Sequence, residues 1–131
     1  MTTTALIASQ SIGTGANVGD NLAAAKFTPA AISDRYFVEC ILTNGATSYD
    51  LNNRPRVWYA GYSASITAAL APAILRKAAR YVEITPYVDA GLVAKKTSLL
   101  EPLDAPYVYV WIESPNLAVA QTLSVNIIEG P

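Results

Sequence analysis

YVYVWIE, residues 107–113, alternates two kinds of side chain along the chain. Val108, Val110 and Ile112 point to one face of the predicted strand, and the other face carries Tyr107, Tyr109, Trp111 and Glu113. A period of two in β-branched and aromatic residues is typical of a strand with two unlike faces. A second alternating segment follows at 122–127. The pair is long enough to found a sheet as a hairpin, although it needs further strands to be stable in water.

The rest of the chain contains further candidate strands. They are separated by Gly, Pro and Asn turns and cover residues 2–9, 25–28, 35–43, 47–51, 56–65, 81–85 and 92–100. Asn44-Gly45 is the strongest hairpin signal, because both residues tolerate positive φ. Short strands in this number with almost no helix predict an all-β protein, an antiparallel two-sheet β-sandwich. Several connections are long enough to cross between sheets, which favours jelly-roll-like connectivity.

The first 24 residues differ from the remainder of the chain. A short predicted edge strand at 2–9 is followed by a cluster of loop-forming residues, so we expect an extended N-terminal arm at 1–24 and one sandwich domain at 25–131. Gly13-Thr14-Gly15 is a weak match to a phosphate loop. A dinucleotide fingerprint needs glycine where Val18 stands, and there is no Gly-Lys-Ser/Thr of a Walker loop. We therefore interpret this stretch as a mobile or partner-bound loop.

Two places interrupt the strand pattern. Gly61 in the middle of a strand suggests a bulge or a close approach of backbone. Within residues 67–80, Pro72 is suited to the first turn of a helix, and apolar residues recur every four positions at Ile66, Leu70 and Ile74. These features favour at most two helical turns in this region over the alternative, an irregular crossing between the sheets.

The composition is apolar for a chain without a membrane-spanning segment. Hydrophobic residues make up 52% and charged residues 15%, against a usual charged share of about 25%. No apolar run approaches the roughly 20 residues that cross a bilayer. We expect the surplus apolar surface to contact other subunits. The alternative is an alanine-rich monomer.

Charge and cysteine content exclude several classes of partner and compartment. The net charge is −1 and the Lys and Arg residues are scattered, so no nucleic-acid footprint is present. Cys40 is the single cysteine, which we interpret as a buried, inert thiol, with a disulfide between subunits as the alternative. The start, Met1-Thr2-Thr3-Thr4-Ala5, lacks the basic start and apolar core of a signal peptide, so folding in a cytoplasm is expected.

The sequence contains no recognisable catalytic chemistry. With no histidine, Ser-His-Asp and Cys-His catalysis and histidine-bound zinc are excluded. A glycosidase needs only two carboxylates, for which the candidates are Asp34, Asp50, Asp104 and Glu113. We interpret each of them as a solvated charge. Calcium ligation by Asp20 with Asn17 and Asn21 lacks the spacing of a known loop. We predict no enzyme activity, no cofactor and no metal.

The aromatic residues allow two interpretations. Tyr107, Tyr109 and Trp111 on one strand face would suit stacking on sugars, as in carbohydrate-binding or adhesin-type sandwiches. The residues that could extend this platform are Tyr36, Trp58, Tyr59, Tyr62 and Tyr81. The alternative, which we favour, is that these side chains fill a core or a contact between subunits. The basic groups Arg54/Arg56 and Arg76/Lys77/Arg80 are interpreted as bridges to acidic residues of a partner.

The chain resembles small virion proteins of tailed bacteriophages, especially head decoration (cement) proteins. The resemblance rests on the Thr/Ala/Gly-rich arm, on Asn44-Gly45 after Tyr36-Phe37-Val38, and on the closing segment from Pro106-Tyr107-Val108 to Ile127-Ile128-Glu129. It implies a protein that binds the outer capsid lattice, often as a trimer, and reinforces it. Tail, neck and fibre components share these features.

The resulting expectation is a non-enzymatic virion structural protein that is made in the host cytoplasm. We expect it to associate with itself as a trimer or dimer, and to bind the major capsid protein or another virion protein. No nucleic acid or membrane is expected as a partner. The predicted contact residues are Leu6, Ile7, Trp58, Tyr107, Tyr109 and Trp111.

Overall fold

The computed structural model describes residues 2–29, 35–44, 53–84, 93–100, 105–117 and 119–130. This part of the chain forms eight strands: β1 Thr2–Ile12, β2 Gly19–Phe27, β3 Arg35–Asn44, β4 Arg56–Tyr62, β5 Arg80–Glu83, β6 Val93–Leu99, β7 Tyr107–Ser114 and β8 Gln121–Gly130. One short helix, α1 (Ala71–Leu75), lies between two 3-10 turns, Ala68–Leu70 and Arg76–Ala78. The strands form two antiparallel four-stranded sheets that pack together, which confirms the predicted all-β sandwich.

The strands pair as one long two-stranded antiparallel ribbon, and this ribbon is folded on itself. Antiparallel pairs join β1 to β8, β2 to β7, β3 to β6 and β4 to β5. Two further pairs, β3 with β8 and β4 with β7, close the ribbon into sheets. The first sheet therefore has the order β1-β8-β3-β6 and the second sheet β2-β7-β4-β5. Consecutive strands mostly lie in opposite sheets, so almost every pairing is distant in sequence.

The two closing strands do not form the predicted hairpin. β7 is a central strand of the second sheet and β8 a central strand of the first. Each has an apolar face that points into the space between the sheets: Val108, Val110 and Ile112 on one side, and Leu123, Val125 and Ile127 on the other. Both apolar faces therefore belong to the core between the two packed sheets.

The segment predicted as an arm contributes two edge strands. β1 lies at the edge of the first sheet and β2 at the edge of the second. Ile7 and Ile12 are buried, so residues 2–12 belong to the sandwich. Both strands contain register shifts, and Ser9 and Ala23 have positive φ of 49° and 48°. Such irregular edges are poor templates for a further strand. Contact of this segment with a neighbouring subunit stays a prediction.

The core lies between the two sheets. Tyr36, Val38, Cys40 and Leu42 occupy alternate positions of β3, and all four are buried. Phe27 packs edge-on against Tyr36, with ring centroids 5.5 Å apart. Cys40 is a free, buried thiol. Burial raises its pKa to about 12, with a smaller effect from Glu39 in the same direction. The prediction of a buried cysteine is confirmed. The raised pKa keeps the group a thiol at neutral pH, whereas the reactive species is the thiolate.

The local predictions have mixed outcomes. The short helix is confirmed, with Pro72 in its first turn. Gly61 marks a close approach, since a Cβ there would lie 2.8 Å from Ala105 Cβ. The predicted turn at Asn44-Gly45 and its returning strand at 47–51 lie, beyond Asn44, outside the described residues.

Candidate functional site: the outer face of the second sheet

The outer face of the second sheet carries two rows of side chains that cross β7, β4 and β5. One row is aromatic and consists of Trp111, Trp58 and Tyr81, which are paired by register. The two indole rings are nearly parallel, with centroids 6.2 Å apart. The ring centroid of Tyr81 lies 4.9 Å from that of Trp58, on the side of β4 opposite to β7. The antiparallel register thus brings Trp58 and Trp111, which are 53 positions apart in sequence, into one aromatic row.

The neighbouring row is charged and consists of Glu113, Arg56 and Glu83. Arg56 Nε donates to Glu83 Oε2 at 2.8 Å, and Arg56 Nη1 lies 3.7 Å from Glu113 Oε2. The hydrogen bond with Glu83 is the main cause that raises the pKa of Arg56. The guanidinium also lies over the ring of Tyr81, 4.3 Å from its centroid. Arg56 therefore ties the charged row to the aromatic row.

Residues 63–79, which we call the strap, cross this face and cover part of it. Ala71 and Leu75 of the strap pack on Ala60, Tyr109 and Trp111, all of which are buried. The Tyr109 hydroxyl donates to Ala64 O at 3.0 Å and accepts from Ile66 N at 2.8 Å. The phenol therefore fixes the strap where it leaves β4.

Arg76 fixes the other end of the strap. Its Nη2 donates to Asp20 O at 2.7 Å and to Asn21 Oδ1 at 2.8 Å, both on β2. Its Nη1 lies 3.3 Å from Glu113 Oε1, and the guanidinium lies 4.8 Å from the centre of the Trp58 ring. One side chain thus joins the strap to β2, β4 and β7, using the planar fork that lysine lacks.

The two indole N–H groups of the aromatic row differ in their hydrogen bonding. Trp58 Nε1 donates to Glu113 Oε1 at 3.1 Å. Trp111 Nε1 is buried and has no hydrogen-bond partner among the described residues. Leaving such a group unpaired costs about 1–3 kcal/mol. The apolar packing that covers Trp111 therefore also buries an unpaired N–H group, which lowers the gain in stability.

Glu113 is not the solvated carboxylate that the sequence predicted. Its side chain is 22% exposed and contacts Arg56, Arg76 and Trp58. The residue lies with Glu83 in a polar cleft of about 330 Å³, whose remaining lining is Asn53, Arg54, Arg56 and Pro115. Both carboxylates face the same guanidinium, which is a structural ion-pair arrangement. The other carboxylate candidates, Asp34, Asp50 and Asp104, lie outside the described residues.

The structure brings four of the six predicted contact residues together. Trp58 and Tyr107 are half-buried on the outer face of the second sheet, and Tyr109 and Trp111 are fully buried there. Leu6 and Ile7 lie on β1 in the other sheet, where Leu6 is half-buried and Ile7 belongs to the core. The strap, which the sequence did not place over this face, keeps Tyr109 and Trp111 out of reach of a neighbour or a sugar.

The basic residues also have different partners from those expected. Arg56 and Arg76 pair with Glu83 and Glu113 of their own chain rather than with a partner protein. Asn21, considered as a calcium ligand, accepts from Arg76 instead, and the guanidinium cation opposes a second cation there. Within the described ranges, no three acidic or cysteine side chains form a group that could hold a metal ion.

The glycine-rich stretch after β1 forms a closed turn. Gly13 N donates to Asn17 O at 2.9 Å, and Asn17 N donates to Thr14 O at 3.0 Å. Gly13 O accepts from Leu117 N at 2.7 Å. Because the amides of Gly13 and Asn17 are used inside the turn, neither is available to bind a phosphate.

Two exposed apolar residues that the sequence did not predict at the surface lie on the strap. Leu70 and Ile74 are 54% and 51% exposed, whereas Ala71 and Leu75 beside them are buried. The four-residue spacing of Leu70 and Ile74 predicted the helix correctly, but these two form its outer side. Apolar residues on all sides of a short helix were the available signal.

Comparison with other proteins adds no family. The chain matches no protein-family model and has no significant match among curated protein sequences. Among the described residues, no helix is both long and apolar enough to cross a membrane.

Proposed function

We propose that this chain is a non-enzymatic structural protein of a virion, which associates with itself and binds the capsid surface as a decoration or cement protein. The observation that carries the proposal is the pairing of eight strands as one folded ribbon, in the orders β1-β8-β3-β6 and β2-β7-β4-β5. We interpret this order as a jelly roll, an eight-stranded architecture that recurs in viral capsid proteins. The fold alone is shared by other functions, so the surface must supply the rest.

Two features of the surface support a structural role. The Glu83 and Glu113 carboxylates of the polar cleft are engaged by arginines, as expected for groups that stabilise a fold. The strap instead exposes two large apolar side chains in a chain with only 15% charged residues. Exposed apolar surface of this kind is a feature of protein contacts.

The first test is the composition of virions purified from the source of the sequence. We expect mass spectrometry to find this chain in the particles, in a copy number comparable to that of the major capsid protein. A lattice-binding protein must approach that number, whereas a neck, tail or fibre component is present in few copies. Absence from washed particles would contradict the proposal.

The second test is the mass of the purified chain by light scattering over a range of concentrations. A dimer or trimer is expected. Deleting residues 2–24 is unsuitable as a probe of assembly, because it removes β1 and most of β2 along with the buried Ile7 and Ile12. Point substitutions of exposed residues are needed instead.

A carbohydrate-binding sandwich is the second candidate, and one observation favours it. Tyr81 is 43% exposed at the end of the aromatic row, where aromatic faces suit sugar stacking. Glycan-dependent changes in tryptophan fluorescence, lost in Tyr81→Ala, would support this function. Fluorescence that is unaffected by a glycan panel would reject it.

A further inference from the structure

The strap presents an apolar ridge to the outside. Leu70 and Ile74 lie one helical turn apart and are each about half exposed, at 54% and 51%. The opposite side of the same turn is already buried, because Ala71 and Leu75 pack on the second sheet. A helix that is apolar on both sides is normally covered on both sides. The ridge is therefore a candidate contact surface.

A lysine lies at each end of this ridge. Lys26 Nζ donates to Ser65 Oγ at 2.7 Å, just before the helical part of the strap. Lys77 lies in the last 3-10 turn and is exposed. At a rise of 1.5–2.0 Å per residue, the strap separates the two by roughly 20 Å. Neither lysine has a carboxylate partner in the described part of the chain.

We propose that the strap docks on a protein surface with an apolar centre and carboxylates on either side, repeated in the capsid lattice. This inference rests on the proposed function and names the face that would carry it. The charge pattern fixes the chemistry of the partner, since an ammonium group at each end of an apolar ridge is matched by acidic groups at the rim of an apolar depression.

A second copy of this chain is the less suitable occupant of the ridge. In two copies meeting through their straps, the lysines at the ends of one ridge would face the lysines of the other ridge, which opposes the contact. Two half-exposed side chains and the adjacent alanines also fall well short of the roughly 800 Å² per partner of a stable two-protein contact. A small contact becomes effective when an oligomer presents several copies to a repeating surface, because the later contacts form intramolecularly.

The test uses virions in which the gene for this chain has been deleted. The purified full-length chain is added back, and bound protein is measured by co-sedimentation. Leu70→Ser with Ile74→Gln removes the apolar ridge without adding charge, and both positions are exposed. Leu99→Gln is the matched control, since Leu99 is 41% exposed on β6 of the other sheet. Unfolding midpoints establish that each variant is folded.

The expected result is that the wild type and L99Q bind, while the strap double variant loses at least about tenfold in affinity. Lys26→Glu with Lys77→Glu should also weaken binding, and added salt should weaken the wild type. A strap variant that binds like the wild type overturns the inference and leaves the proposed function standing. Tighter binding by the lysine variant overturns the stated partner chemistry.

Two further outcomes are informative. Failure of the wild type to bind particles rejects the proposed function and the docking face with it. If light scattering shows that the strap double variant is a monomer where the wild type and L99Q are oligomers, the ridge is a contact between copies. That result overturns docking on the lattice.

Discussion

Gly13 directly follows β1, and its backbone has a conformation that residues with a side chain rarely adopt. Its φ is 99°, and a Cβ there would lie 2.7 Å from Leu117 Cδ1. We predict that Gly13→Ala lowers the free energy of unfolding by about 3 kcal/mol, from backbone strain and overlap with Leu117 together. Gly15→Ala is the control, because φ is also positive there but no atom lies within 4 Å; it should cost about 1 kcal/mol. Equal losses in urea unfolding would contradict this account.

Cys40 makes the stability of the fold depend on pH in the alkaline range. Burial raises its pKa from 9.0 to about 12. Between these values the unfolded chain has lost the thiol proton and the folded chain keeps it, so stability is full below about pH 9 and falls as the pH rises. We predict a loss of about 1.4 kcal/mol between pH 8 and 10 beyond that of Cys40→Ala. Parallel pH profiles of the two proteins by urea unfolding would refute the prediction.

At the scale of single elements, the strap depends on Arg76. This side chain contacts Asp20 O, Asn21, Glu113 and the ring of Trp58. We predict that Arg76→Ala lowers the free energy of unfolding by about 2 kcal/mol, through lost charged hydrogen bonds and a cation–π contact. Arg76→Lys should recover less than half, because an ammonium cannot reproduce the planar fork. The measurement is urea unfolding followed by tryptophan fluorescence.

Lys77→Ala provides the matched control for the strap. Lys77 is the next residue, is exposed, and has none of these contacts. Its substitution should change stability by no more than about 0.5 kcal/mol. If Arg76→Ala is as mild as Lys77→Ala, the strap is held mainly by the packing of Ala71 and Leu75, and the role assigned to Arg76 is wrong.

The sequence predicted some elements well because their side chains alternate without interruption. In β7 the period of two identified the strand and separated its core-facing residues, Val108, Val110 and Ile112, from its aromatic face. β1 and β2 were less accessible to this reasoning. In β1 the register shifts leave the buried Ile7 and Ile12 five positions apart. This spacing breaks the alternation and makes the segment resemble an arm in sequence.

The site was predictable in its composition but not in its arrangement. The alternation placed Tyr107, Tyr109 and Trp111 on one face correctly. Whether that face is open depends on where the strap lies, and the strap is positioned by Arg76 and the Tyr109 hydroxyl through contacts that are distant in sequence. Local pattern carries no information on such contacts. For the same reason the local pattern predicts a solvated charge at Glu113, whereas the structure pairs it with two arginines.

At the scale of the whole molecule, the ribbon determines which strands meet. Thr2 pairs with Glu129, so the two ends of the sandwich lie side by side although nearly the whole chain separates them. The sequence indicated two sheets but not this order, because each strand has a similar apolar face and several pairings would bury it. Bringing distant strands together has an entropic cost that local pairings avoid.

A circular permutant tests this arrangement. Joining the present ends by a linker of about four residues and opening the chain between the exposed Gly15 and Ala16 makes β1 follow β8 as a hairpin. We predict a folded protein within about 2 kcal/mol of the wild type, because all eight strands keep their partners. Folding in stopped-flow experiments should be at least about threefold faster, because the β1–β8 pairing becomes local. The wild type with the same linker added after Pro131 controls for the extra residues. An unfolded permutant would contradict the pairing of β1 with β8, and an unchanged folding rate would place that pairing after the rate-limiting step.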